Sequence, residues 1–164
     1  MDTISSTPFN PDAIEPSDFI VGHTSCLVRS FKKWTGRDLL RGNYSPAELA
    51  KALFDAPFVV VSHGMQDDPI LNYGNRRALR LWEMSWEELT STPSRLTAEA
   101  PDREERARLL EAVTARGFID DYAGVRISKS GRRFRINRAT VWNLLTVDGK
   151  PCGQAAMFGE WKFI

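Results

Sequence analysis

The residues of this chain best suited to chemistry are few. His23 and His63 are its only histidines, and Cys26 and Cys152 its only cysteines. A metal site of two histidines and a carboxylate would need folding to bring distant residues together, and none is expected. The cysteines lack CxxC spacing and make no disulfide framework, so reduced intracellular thiols are expected. The chain has no glycine-rich phosphate cradle, nucleophile elbow or HExxH motif. An enzyme would have to combine pocket arginines with Glu99 or His63 for acid–base work. That is the alternative reading, and no convergent acid–base pair is visible to support it.

Residues suited to binding are better represented. Trp82, Trp86, Trp142 and Trp161 supply aromatic surface. Trp82 falls on the inner stripe of a helix and is expected in the core, whereas Trp142 and Trp161 on long strands suit either core or a ligand wall. An aromatic pocket needs only a few polar anchors to orient a guest. The candidates are Arg95 and Glu99 in "SRLTAE", Arg126, Arg133, Arg135 and Asn137 on strands, and Gln154. Asn75 stands where a helix begins and is expected to cap it, while Asn72 looks toward a pocket. The site expected from these residues is one cavity beneath a sheet. Asn72, Trp86, Arg95 and Trp142 line it, Arg95 or Glu99 anchors the ligand, and Arg126 and Gln154 contribute. "DREER", from Asp102 to Arg106, reads as a solvated helix face with i,i+4 pairing.

The elements that must position these side chains are readable from periodicity and punctuation. Asp18 to Thr35 carries Ile20, Leu27, Phe31 and Trp34 on one helical stripe, with Gly36 as its stop. Ser45, Pro46 and Glu48 form a helix start with a capping box. "FVVVSH" and "ILNY" read as strands. Helices follow at Arg76 to Glu83, around Trp86 behind a Ser85–Glu88 capping box, and at Pro101 to Arg116, with Gly117 as the stop. The remainder is an antiparallel meander of three long strands joined at "KSG" and "DG". Arg133, Arg135 and Asn137 share one face of it, opposite Phe134 and Ile136, and that face is expected in solvent. Helices segregated from an antiparallel sheet make the class α+β.

At 164 residues the chain has the size of one domain, and a net charge of +1 gives no sign of a nucleic-acid partner. No apolar run is long enough to span a bilayer, and the start lacks a signal peptide, so a cytoplasmic location is expected. Residues 1–17, with three prolines and no periodicity, read as a disordered arm. Residues 18–44 read as an N-terminal helical extension and 45–164 as the domain proper. The helical stripe of the extension is too apolar for water. It is expected to cover its own sheet or, with a slight preference, to pair with a second copy in a homodimer.

Two strands, a helical middle and three strands form an order that resembles the PAS fold. "DPILNYGN", "PSRLTAE" and "GRRFRI" together make the stretch from about Ser45 to Trp161 similar to the MEKHLA family. This PAS-related domain occurs in small bacterial and algal proteins and at the end of plant homeodomain–leucine-zipper regulators. Residues 18–40 resemble the extension of the bacterial members. The resemblance implies a five-stranded antiparallel sheet with helices on one face. It also implies a sensory or interaction module enclosing a small pocket. With no output domain in these residues, such a module is expected to act through a protein partner or by dimerising. Without a homeodomain or zipper in these residues, the plant role in transcription is not expected to carry over. Light-sensing PAS domains use a cysteine in the helical middle and oxygen-sensing ones a histidine there; residues 69–117 hold neither. A non-covalent organic ligand, with no flavin or haem, is therefore expected.

Overall fold

The computed structural model describes residues 17–99 and 103–164. The arm expected at the N-terminus therefore lies outside the described residues except for Ser17, as do Pro101 and Asp102. Helix α1 (Asp18–Thr35) starts at Ser17, whose side chain accepts from the Ile20 N–H, and stops at Gly36. Helix α2 (Pro46–Phe54) carries the full Ser45–Glu48 capping box. Strands β1 (Val59–His63) and β2 (Leu71–Gly74) lead to α3 (Arg76–Trp82), α4 (Trp86–Leu89), a 3₁₀ turn (Ser94–Thr97) and α5 (Arg103–Arg116). The chain ends with β3 (Phe118–Ile127), β4 (Arg133–Leu145), β5 (Pro151–Phe158) and β6 (Glu160–Phe163).

The sheet is antiparallel throughout, in the order β2-β1-β5-β4-β3, with β6 pairing with β4. Among the described residues it has six strands where five were expected. Strand β5 pairs with the Thr140–Leu145 part of β4, and β6 with Phe134–Asn137. Between those two parts Arg138 takes a left-handed φ of 53°. Such a residue kinks a strand locally. The last run of the chain accordingly divides at Gly159 into two strands that follow the two halves of β4.

Helices lie against both faces of this sheet, with α1 of the N-terminal extension on the face opposite α3 and α5. Ile20, Leu27 and Phe31 of α1 are fully buried, packed with Leu53, Val60, Tyr73, Trp142 and Leu144. Phe31 meets Trp142 edge-on at 5.0 Å between ring centroids. Trp34 Nε1 donates to the Asn143 carbonyl at 2.9 Å, and the Leu145 N–H donates to Ser30 Oγ at 2.9 Å. The apolar stripe of α1 thus belongs to its own chain, and a dimer could use only the helix's opposite face. Gly117 shows how tightly α1 is fitted. Its φ is +100°, and a Cβ there would lie 2.5 Å from the Trp34 ring, so only glycine suits both the turn and the contact.

On the other face α3 contributes Ala78, Leu81 and Trp82 to a second core with Val59, Phe134, Ile136 and Phe158. Arg133 and Arg135 are exposed and Asn137 half-buried, opposite buried Phe134 and Ile136, as the alternation implied. The fold brings the two cysteines together: Cys26 Sγ on α1 lies 3.8 Å from Cys152 Sγ on β5, and both are free thiols. Burial and the Cys26 neighbour push the Cys152 thiol up to about 11. Among the described residues no helix is long and apolar enough to cross a membrane.

Candidate functional site

A cavity of about 60 Å³ lies between the sheet face opposite α1 and the segment from the 3₁₀ turn to α5. Most of its wall is apolar, with Val61, Leu71, Leu109, Val141 and Ala156 among the lining residues. The polar lining includes His63, Arg106, Tyr122, Arg126 and Gln154 beside Ser62, Ser94 and Thr97, with no carboxylate among the described residues. Of the groups that the acid–base alternative names, the lining holds His63 beside two arginines but not Glu99, which pairs with Arg133.

Each polar group is placed by the local fold. Gln154 of β5 donates from Nε2 to the Leu110 carbonyl at 3.1 Å and to Thr114 Oγ1 and Asn143 Oδ1 at 3.0 Å. Asn143 Nδ2 donates to the Val113 carbonyl at 2.9 Å. These polar ties fasten α5 to the sheet, and the helix needs them because among its described residues only Arg106 and Val113 are buried. Arg126 of β3 donates to the Val125 carbonyl at 2.8 Å and to the Tyr122 hydroxyl at 3.2 Å. Arg106 of α5 donates to Ser94 Oγ. Burial, with the positive charge of Arg126 beside it, brings the Arg106 pKa down to about 10.

His63 Nδ1 lies 2.9 Å from the Gly64 carbonyl, which can only accept, so Nδ1 carries the proton. Its Nε2 is then a bare acceptor, buried and without a partner among the described residues, and the Nε1–H donor of Trp82 is likewise buried and unpartnered among them. Burial holds the His63 pKa below the usual imidazole range, with Arg106 acting in the same direction.

The residues expected to line one cavity are separated. Arg126 and Gln154 do line it. Trp142 is instead sealed beneath α1, and Trp86 packs edge-on against Tyr73 in the same core. Asn72 accepts from Ser62 Oγ at 2.6 Å on the α1 side of the sheet. Arg95 and Glu99 face outward, paired with Asp68 and Arg133. Arg95 and Glu99, expected as the anchor, therefore lie off this cavity, and the guanidinium groups that line it are those of Arg106 and Arg126. Arg106 also corrects the reading of "DREER" as wholly solvated. The inward face of α5 runs through Arg106, Leu109, Leu110 and Val113, while Ala107 is exposed. The one clue in the sequence was an arginine three residues before Leu109 on the same helical face.

A second polar group sits under α1. Ser62 Oγ donates to Asn72 Oδ1, so His23 Nε2–H donates to Ser62 Oγ at 2.8 Å. Burial lowers the His23 pKa to about 4. In the unfolded chain this histidine takes a proton near pH 6.5, whereas the folded chain holds it neutral until about pH 4. Its contribution is complete above pH 6.5 and declines as pH falls toward 4. Urea denaturation is expected to show about 2 kcal/mol less stability at pH 5 than at pH 7, with a weaker decline in His23→Gln. Equal urea midpoints at the two pH values would contradict it.

Comparison with known proteins agrees with this architecture. The MEKHLA domain profile matches residues 21–163, a stretch that includes nearly all of α1. A homeobox-leucine zipper protein of Oryza sativa subsp. japonica is 24% identical over 139 residues, covering 84% of this chain and 16% of the rice protein. One of Arabidopsis thaliana is 24% identical over 163 residues, 97% of this chain and 18% of its own length. The chain spans less than a fifth of these plant proteins. Among solved structures, a PAS domain from Colwellia psychrerythraea superposes with a TM-score of 0.57 at 19% identity, over 70% of this chain and 92% of the other. An RNA-binding Light-Oxygen-Voltage receptor superposes with 0.62 at 20% identity, over 76% and 36%. These likenesses establish a PAS fold.

Proposed function

We propose that this chain, which belongs to the MEKHLA domain family, is a PAS-type sensory module that binds a small organic molecule between its sheet and α5. The observation that carries this reading is the cavity itself. Buried polar groups with unused hydrogen-bonding capacity line it, and such groups are costly unless something bonds to them. Because α5 is held by polar contacts around the cavity, a ligand that competes for them would shift that helix. A protein partner, or a second copy of the chain, would then sense its position. The free thiols Cys26 and Cys152 suit a reducing, cytoplasmic setting.

Flavin does not fit the residues present. The cavity measures about 60 Å³, whereas organic ligands of that class occupy pockets of roughly 300–1,000 Å³. Both cysteines also pack against the α1 core, on the other side of the sheet. Native mass spectrometry of the full chain after incubation with cell extract tests the reading. The expected result is one retained small molecule per chain, in colourless protein. A flavin or haem absorption band, or no retained mass across extracts, would overturn it.

A further inference from the structure

Two guanidinium groups line one cavity, and among the described residues neither has a carboxylate partner. The polar contacts of Arg106 are to Ser94, and those of Arg126 to its neighbour's carbonyl and the Tyr122 hydroxyl. Asp68 pulls on Arg106 electrostatically but is itself engaged by Arg95 at the surface, 3.2 Å away. Both arginines are buried, at 9% and 8% exposure. Two buried cations lining one cavity and repelling each other are unfavourable without an anion nearby. Much of the remaining cavity wall is apolar, including Val61, Leu71 and Val141, and Trp82 adds an indole donor with no partner among the described residues.

Size limits the guest. One water needs roughly 10–15 Å³ of such space, so a cavity of about 60 Å³ holds a handful of non-hydrogen atoms. An inorganic anion would fit the arginines but leave Val61, Leu71 and Val141 facing a charge. A neutral molecule would suit those walls and leave two cations uncompensated. Only a short molecule with an anionic end and an apolar end satisfies both halves. Planar carboxylates also match the donor geometry of guanidinium.

We infer that the cavity binds a short-chain carboxylate, its oxygens between Arg106 and Arg126 and its carbon chain against Val61, Leu71 and Val141. The bare Nε2 of His63 leaves an acceptor for a hydroxyl on that chain. This inference rests on the sensory reading above and gives its ligand a chemical class.

Thermal melting and calorimetric titration of the full chain with propionate and lactate test it, with propionamide, nitrate and phosphate alongside. The carboxylates are expected to raise the melting temperature in a saturable way, and propionamide to bind at least tenfold more weakly. Arg126→Gln is expected to weaken the carboxylates at least tenfold. Arg106→Gln should do the same, and because its loss of the Ser94 contact could impair folding, Arg126→Gln decides if it does. Equal binding of propionamide, or of nitrate and phosphate, would overturn the carboxylate assignment while leaving a ligand-binding cavity standing. Carboxylate stabilisation unchanged in Arg126→Gln, or no stabilisation by any carboxylate, would also overturn it. In those cases a molecule retained from cell extract keeps the sensory reading, and its absence removes both.

Discussion

A chain beginning at Asn43, without α1, is expected to lose cooperative folding. Ile20, Leu27 and Phe31 leave almost no surface in water. Burying three such side chains contributes roughly 5–9 kcal/mol, taking about 1.5–3 kcal/mol for each. A whole domain is typically stable by about 5–15 kcal/mol. The shortened chain would also expose the partners of the helix, Val60, Tyr73, Trp142 and Leu144, as one apolar patch on a sheet. Aggregation follows from such a patch. The measurement is urea denaturation by circular dichroism together with light scattering, on the full and shortened chains. A soluble shortened monomer with an unchanged transition would show that α1 is dispensable.

Asn75→Ala is expected to be among the most damaging single substitutions. The side chain is wholly buried at 0% exposure and makes four hydrogen bonds. Its Oδ1 accepts from the Val60 N–H at 3.1 Å and the Ala78 N–H at 3.2 Å. Its Nδ2 donates to the Leu53 carbonyl at 3.2 Å and the Phe58 carbonyl at 2.8 Å. One amide therefore caps α3, holds β1 and secures the end of α2. Alanine would orphan backbone groups that water does not readily reach, each costing about 1–3 kcal/mol. A loss of at least about 4 kcal/mol is expected, a size reached only by a few mechanisms. Asn75→Asp retains the acceptor but turns an anionic oxygen toward two carbonyls, so it should recover little. Chemical denaturation of both variants is the check, and a loss near 1 kcal/mol, typical of a simple cap, would mean that the other contacts contribute nothing.

Asn75 also marks where reading along the chain stops short. That it caps a helix follows from its place before Arg76, since a capping side chain reaches backbone only two or three residues on. The same locality made the Ser45 and Ser85 capping boxes and the Gly36 stop legible. The grip of Asn75 on Val60 and Leu53 depends on partners 15 and 22 residues away, and no local pattern encodes it.

The candidate site divides in the same way. Alternation along the start of β4 showed that Arg133, Arg135 and Asn137 share a face, because strand side chains point to opposite sides in turn. It could not say which face would receive α1 and which α5. Trp142 and Val141 are neighbours in sequence, yet one is sealed beneath α1 and the other lines the cavity. Arg106 reads as a surface residue because charged side chains on a polar helix usually meet water. Its burial comes from Ser94 and from the sheet beneath it, contacts set by how α5 docks. Helix ends, strand alternation and the PAS order arise from interactions within a few residues and were present in the sequence. The assignment of faces, and the pairing of two arginines in one cavity, arise from long-range packing, where a segment's environment is set by elements far along the chain.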